Sequence, residues 1–321
     1  IANGVVDAIG NTPLIRIESV STRTGCTILG KAEFMNPGGS VKDRAAKSMI
    51  LAAERSGELR AGGTLVEGTA GNTGIGLALV ARARGYRCVI VMPNNQSEEK
   101  ITLLRALGAD VELVPPAPFA NEMNYFHVAG RKAKELGAFW ANQFENTANS
   151  DAHYEGTGPE LWNGTGGKLD GFVCSSGTGG TIGGISAYLK SVSASTQTYV
   201  VDCEGSSLFN YVTKGTLEAE GSSVLEGIGI RRVTKNFARA KLDGAFVGTD
   251  REAVAMTHEL LAKDGLYVGG SAGLNVVGAV KLAEKLGPGH TIATILCDGG
   301  QRYQSRLFDA AWLREKGLPS L

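Results

Sequence analysis

The sequence predicts an α/β protein with mostly parallel sheet, arranged as two α/β halves around a cleft. Three observations predict it. Short, β-branched apolar runs bounded by glycine or proline alternate with helix-length segments. The runs are apolar throughout, as in strands buried on both faces. Glycine, 45 of 321 residues, is twice the usual ~7%. It stands in clusters at strand ends, where open α/β sheets take ligands.

In chain order the expected strands are TLVEG (64–68), RCVIVMP (87–93), DVELVPP (110–116) and GFVCSSG (171–177). TYVVDCEG (198–205), LYVGG (266–270) and TIATILCDGG (291–300) follow. Between them, SEEKITLLRALG reads as a helix with Ser97 at the N-cap and Glu98 and Glu99 in an acidic first turn. NYFHVAGRKAKELG (124–137) reads as a helix with core aromatics, and REAVAMTHELLAKDG (251–265) as another helix. A joint between the halves is expected near Asn146 to Asp151.

Formal net charge is zero, which argues against a nucleic-acid binder, since phosphates call for a basic face. No run of ~18 apolar residues suggests a membrane span. Cys26, Cys88, Cys174, Cys203 and Cys297 are scattered, odd in number and lack a C-x-x-C pair. They read as buried apolar residues in a reducing compartment rather than a disulfide or zinc framework. His127, His153, His258 and His290 follow no metal-ligand spacing, and His153 reads as a capping or packing residue.

Three glycine loops and one lysine carry the chemistry. Gly177, Thr178, Gly179, Gly180 and Thr181 lie between a strand and a helix. Their free N–H groups and two hydroxyls could cradle one phosphate. A dinucleotide loop would need glycine where Ile182 stands, and no G-K-[ST] tripeptide occurs. GTAGNTGIG (68–76) can surround a carboxylate with hydroxyl, amide and backbone donors. GGSAG (269–273) bares its backbone around Ser271, as a flat ring would require. Each loop alone fits a structural turn as well. Lys42 follows the turn NPGGSV at an expected helix start, where positive charge is unfavourable. A lysine held there can supply a Schiff-base amine, and with a phosphate cradle it suggests pyridoxal phosphate (PLP).

The motifs PGGSVKDR, TAGNTG, NQFENTAN, TGPE, GTGGT and GGSAG occur in one order over essentially the whole chain. In this the chain resembles the fold-type II PLP enzymes, in the cysteine synthase (O-acetylserine sulfhydrylase) branch, with cystathionine β-synthase as near kin. The resemblance implies two three-layer α/β domains with PLP in the cleft. Residues 1–11 and 35–149 would form a smaller mobile domain, and 12–34 and 150–321 a larger one that holds the phosphate. It implies Lys42 as the Schiff-base lysine, Asn72 beside the ring hydroxyl, Ser271 at the ring nitrogen and the phosphate on Gly177 to Thr181. Thr69, Ala70, Gly71, Asn72 and Thr73 would bind the substrate carboxylate, opposite Gln143, with Gly227 lining the cleft. The reaction implied is β-replacement, turning O-acetyl-L-serine and sulfide into L-cysteine through an aminoacrylate. A cytoplasmic homodimer is implied too, with serine acetyltransferase as a possible partner and organellar import left open.

Two departures stand out. The usual T-S-G-N-T loop has Ala70 for serine, and LCDGGQRY (296–303) replaces a Pro-Ser segment, with Asp298 expected near the ring end, where its charge would raise the affinity of the ring nitrogen for a proton. The alternatives are a cystathionine β-synthase reaction or an O-phosphoserine-dependent sulfhydrylase. The latter would draw on Arg231 and Arg232, which otherwise read as a solvated pair. A catalytically silent regulator that binds serine acetyltransferase is the non-enzyme alternative. Serine or threonine dehydratases and a nicotinamide-binding dehydrogenase fit the motifs less well.

Overall fold

A computed structural model describes residues 1–69 and 71–320. Among the described residues ten strands form two sheets. Strands β1 (Leu14–Arg16), β2 (Thr27–Ala32), β7 (Gly171–Cys174), β8 (Gln197–Cys203), β9 (Gly244–Gly248) and β10 (Thr291–Leu296) build the larger one. Its order is β1-β2-β10-β7-β8-β9. Only the edge strand β1 runs antiparallel, with Leu14 opposite Lys31. Strands β3 (Thr64–Gly68), β4 (Arg87–Pro93), β5 (Asp110–Val114) and β6 (Phe139–Trp140) form an all-parallel sheet in the order β5-β4-β3-β6.

Both faces of both sheets are buried, which is why the strands read as continuous apolar runs. Leu65 and Ile90 pack with the helices Lys42–Ser56 and Asn72–Arg84, while Val66, Val89 and Val91 pack on the other face with Ala129 and Ala133 of the helix Tyr125–Glu135. In the larger sheet Val173 and Val201 share a core with Val276 and Val277 of the helix Gly270–Leu286. Phe172 and Val200 face Ile182 and Ile185 of the helix Gly180–Val192. The fold is α/β, with helices on both faces of two sheets.

Several elements differ from expectation. Leu266 to Gly270 is no strand: only Val268 bridges, to Gly299, before the helix opens at Gly270. Strand β2 escapes a hydrophobic reading because buried Lys31 and Gly30 interrupt it; a Cβ on Gly30 would stand 2.7 Å from Leu296. Strands β1, β6 and β9 are edges, too short or too exposed to read. Ser97 takes the N-cap position of the helix Glu98–Ala106, but its hydroxyl caps nothing. A full capping box forms instead at Thr249, with Glu252, at the head of the helix Asp250–Asp264. The segment expected as a joint, Asn146 to Asp151, leads into a helix, Ala148–Ala152, that runs on into a π-helical turn at His153–Thr157. All five cysteines are free, and four are buried. Among the described residues no helix is long and apolar enough to cross a membrane.

Candidate active site

A cavity of about 490 Å³ opens between the two sheets, within the range of small-molecule sites. Lys42, Thr69, Gly71, Asn72, Thr73, Gln143, Gly177, Thr178, Gly227 and Ser271 all line it. Gly179 and Thr181 line a smaller recess that shares Lys42, Gly177 and Thr178 with the main cavity. Gly180 is buried at the start of the following helix. Ala70 lies outside the described residues.

Lys42 is the first residue of its helix, and its N–H donates to Ser40 Oγ at 3.2 Å. The preceding turn is heavily tied. Val41 donates to the Cys297 carbonyl at 2.8 Å, Gly39 takes a left-handed φ of 77°, and Asn36 Nδ2 donates to the Ser40 carbonyl at 3.2 Å. The acid expected of a helix start follows at once as Asp43, whose Oδ2 accepts the Gly38 N–H at 2.5 Å. Burial pushes the Asp43 carboxyl up to about 7, against the pull of that hydrogen bond.

Asn72 opens the neighbouring helix. A Cβ on Gly76 would lie 3.1 Å from both Ala46 Cβ and the Lys42 carbonyl. Glycine there lets the helix starts carrying Lys42 and Asn72 close on one another. Thr73 Oγ1 donates to Gln143 Oε1 at 2.6 Å, and Gln143 Nε2 donates to the Gly68 carbonyl at 3.2 Å. The loop after β3 and the segment after β6 are thus joined across the cavity wall.

The glycine loop after β7 is equally built. Gly179 has φ 86°, and a Cβ there would overlap Phe237; one on Gly177 would overlap the Gly227 carbonyl. Asn149 Nδ2 donates to Thr178 Oγ1 at 3.0 Å, and Thr234 Oγ1 to the Thr178 carbonyl at 2.7 Å. Thr181 Oγ1 lies 3.3 Å from His153 Nε2, and His153 Nδ1 lies 2.9 Å from Thr157 Oγ1. Burial, with Arg44 and Lys42 nearby, holds this imidazole well below its ordinary value. His153 is therefore a neutral support beneath the loop.

Other residues reach the cavity without a sequence signal. Lys100, only 3% exposed, pairs with Glu226 and sits 4.9 Å over the Tyr303 ring. Arg306 closes the same carboxylate at 2.6 Å. Tyr125 and Phe126 line the cavity, and Tyr125 also packs against the core of the smaller sheet. Arg232 is half-buried: Glu145 neutralises it and its guanidinium lies 4.4 Å from the Phe119 ring and 5.0 Å from Phe144. Arg231 spends its guanidinium on the carbonyls of Gly205 and Gly221. Asp298 is absent from the cavity wall and stands behind Asn72. Among the described residues no group of three or more His, Cys, Asp or Glu could hold a metal.

Glu67, on β3 just ahead of the carboxylate-type loop, is completely buried, and neither oxygen has a hydrogen-bond partner among the described residues. Burial pushes it up to about 8, against the pull of the nearby Gln143 side chain and the Gln143 and Asn142 N–H groups. A raised acid stabilises the fold while protonated, so this contribution is lost as pH rises from about 5 to about 8. Glu67→Gln is expected to match wild type near pH 5 and to exceed it by on the order of a few kcal/mol at pH 9. Urea midpoints measured across that range check it; parallel curves would show a Glu67 that ionises freely.

Comparison with known proteins agrees with this geometry. The family described as "Pyridoxal-phosphate dependent enzyme" matches residues 5–298. The chain is similar to cysteine synthase 1 of Neurospora crassa, 54% identical over 324 residues that span 99% of this chain and 86% of that one. It is similar to a cysteine synthase of Dictyostelium discoideum, 50% identical over 98% of this chain and 86% of the other. The solved structure of an O-ureido-L-serine synthase superposes with a TM-score of 0.89 at 34% identity, covering 98% of this chain and 99% of that one. With a lysine, a glycine cradle and a carboxylate-type loop on one cavity, and this kinship over nearly its whole length, the chain belongs to the pyridoxal-phosphate dependent enzyme family.

Proposed function

We propose that the chain forms L-cysteine from O-acetyl-L-serine and sulfide by PLP-dependent β-replacement. The observation that carries this reading is the convergence of Lys42, Asn72, Ser271 and the loop from Gly177 on one cavity. The residues present fit the cofactor. The cradle has no room for a Cβ at Gly177 or Gly179, a 13-residue helix presents its N-terminus there, and the buried Ser176 hydroxyl has no partner among the described residues. Gly177 to Thr181 would hold the phosphate, Asn72 the ring hydroxyl, Ser271 the ring nitrogen and Lys42 the aldehyde carbon.

When bound, PLP supplies the electron sink that makes an α-proton removable and a β-substituent expellable. The chain does the rest. Thr69, Ala70, Gly71, Asn72 and Thr73, with Gln143 braced against Thr73, orient the substrate carboxylate. Lys42 takes the α-proton and later returns one. Ser271 offers a neutral hydroxyl where a carboxylate would fix positive charge. Acetate leaves the β-carbon, hydrosulfide adds there, and a proton returns to the α-carbon. The Lys100–Glu226 pair and the Phe119, Phe126 and Phe144 rings screen the cavity sides from water. Arg232 and Arg231 are already engaged, which weighs against an O-phosphoserine leaving group.

The reading extends to domain motion. Residues 1–11 with 35–149 would close on 12–34 with 150–321 once substrate fills the carboxylate loop. It also extends to a cytoplasmic homodimer with serine acetyltransferase as a cleft-binding partner.

Titration of the PLP-loaded protein tests the reaction. O-Acetyl-L-serine is expected to change the visible spectrum, and sulfide to restore it with one cysteine formed per site. A protein that ignores O-acetyl-L-serine but consumes L-serine with homocysteine would belong to the cystathionine β-synthase type. One that neither binds PLP nor turns over any of these would be the silent regulator.

A further inference from the structure

The Asn72 carboxamide is gripped at both ends. Its Nδ2 donates to Asp298 Oδ2 at 2.6 Å, and its Oδ1 accepts from Arg302 Nη1 at 2.5 Å. A carboxylate only accepts and a guanidinium only donates, so the amide has one permitted orientation. The grip is rigid. Asp298 is fully buried, and its Oδ2 also accepts the Tyr303 hydroxyl at 2.6 Å. Its backbone bridges to Ser40 and accepts the Gly269 N–H at 3.1 Å. The second arm of Arg302, Nη2, donates to the Gly38 carbonyl in the turn that leads to Lys42. One guanidinium therefore touches both Asn72 and the Lys42 turn.

We propose that Asp298 and Arg302 are positioning residues for the cofactor, acting through Asn72. Together they leave its second N–H as the donor offered to the ring oxygen, and they hold that donor in register with Lys42. A free carboxamide would rotate and present its carbonyl to the same oxygen, turning attraction into repulsion. This rests on the reading above that Asn72 faces the PLP ring. It revises the expected role of Asp298, which reaches the ring through a neighbour's amide and not at the nitrogen. The other charged or titratable groups about the clamp include Asp43, on the Gly38 N–H, Lys100 with Glu226, over the Tyr303 ring, and Cys297, whose thiol is pushed up to about 11 by burial and by the adjacent Asp298 charge.

The test reads PLP binding and not turnover. PLP dissociation, and the pH titration of the bound visible band, are measured for wild type, Asn72→Ala, Asp298→Ala, Asp298→Asn, Arg302→Lys and the double variant Asn72→Ala/Asp298→Ala. Asp298→Ala is expected to weaken PLP binding roughly tenfold or more and to move the band's titration midpoint. Asp298→Asn, which keeps an acceptor, should recover most of the loss. Placed on Asn72→Ala, Asp298→Ala should add less than about twofold, because the amide it positions is gone. If Asp298→Ala does not fold, Arg302→Lys reads the same amide from its other end, since one ammonium cannot span Asn72 and Gly38. A full Asp298→Ala effect on the Asn72→Ala background would overturn the proposal, as would wild-type binding by both clamp variants while Asn72→Ala is weak. Tight PLP binding by Asn72→Ala would instead remove Asn72 from the cofactor, and the reading beneath the proposal with it.

Discussion

Lys42→Ala is expected to lower cysteine formation by about 10³-fold or more, the scale at which a positioned acid–base group contributes. The position leaves little scope for a substitute. Among the cavity-lining residues Lys100 is the other lysine, and it is committed to Glu226 over the Tyr303 ring. His153 is buried, neutral and turned toward Thr157 and Thr181. Lys42→Arg should fail as completely, since a guanidinium does not give up its proton near neutral pH. The cradle from Gly177 to Thr181 sits on another element, so the variant should still take up PLP, without covalent attachment. Borohydride followed by peptide mapping would place the label on the Lys42 peptide of wild type and on none in the variant. Retention of more than about a tenth of wild-type turnover would take the α-proton away from this lysine.

The second large effect is structural. Arg44, one helical step beyond Lys42 and Asp43, is 5% exposed and reaches two acids. Its Nε and Nη2 hold Glu33 at 2.7 and 2.9 Å, and Nη1 and Nη2 hold Glu160 at 2.6 and 2.7 Å. Lys31 adds a 2.7 Å ion pair to Glu160, and Thr12 donates to Glu33 at 2.7 Å. Removing the guanidinium strands a completely buried Glu33 beside a hydroxyl and an amide. Breaking a buried pair in this way costs about 3–5 kcal/mol, far more than the intact pair contributes. Arg44→Ala should show that loss by urea denaturation at pH 7, and Arg44→Lys should recover little, because one ammonium cannot serve both carboxylates. Burial works to raise Glu160, but hydrogen bonds and charge from Arg44 and Lys31 outweigh it and bring the carboxyl down to about 2. A depressed acid stabilises above its ordinary range and loses that contribution as pH falls toward 2. The gap between wild type and Arg44→Ala should therefore narrow in acid. A gap that stays constant down to pH 2 would separate the loss from this charge network.

The sequence made legible what is carried by contiguous residues. Lys42 after its glycine turn, the Gly177 loop and Ser271 each announce themselves over a few positions, and the fold brings them to one cavity. What stayed hidden depends on meetings between distant segments. Lys100 reads as one more charge on an amphipathic helix until Glu226 and Tyr303 arrive beside it. Arg232 reads as solvated until three aromatic rings from elsewhere surround it. Asp298 looked like a ring-end charge because its place in the chain was visible and its partner, Asn72, was not. Strand β2 was lost for the same reason: buried Lys31 looks polar until Glu160 is seen to answer it.

The order of the larger sheet has a consequence for biosynthesis. Strand β10 lies between β2 and β7, so Thr27 pairs with Thr291 across almost the whole chain. A nascent chain leaving the ribosome exposes β2 long before β10 and must hold its backbone pairing edge open until β10 has emerged. The smaller sheet has no such wait, for Thr64 to Trp140 contains all four of its strands. During synthesis, then, half of the active-site wall can exist before the sheet that carries the Gly177 loop can close.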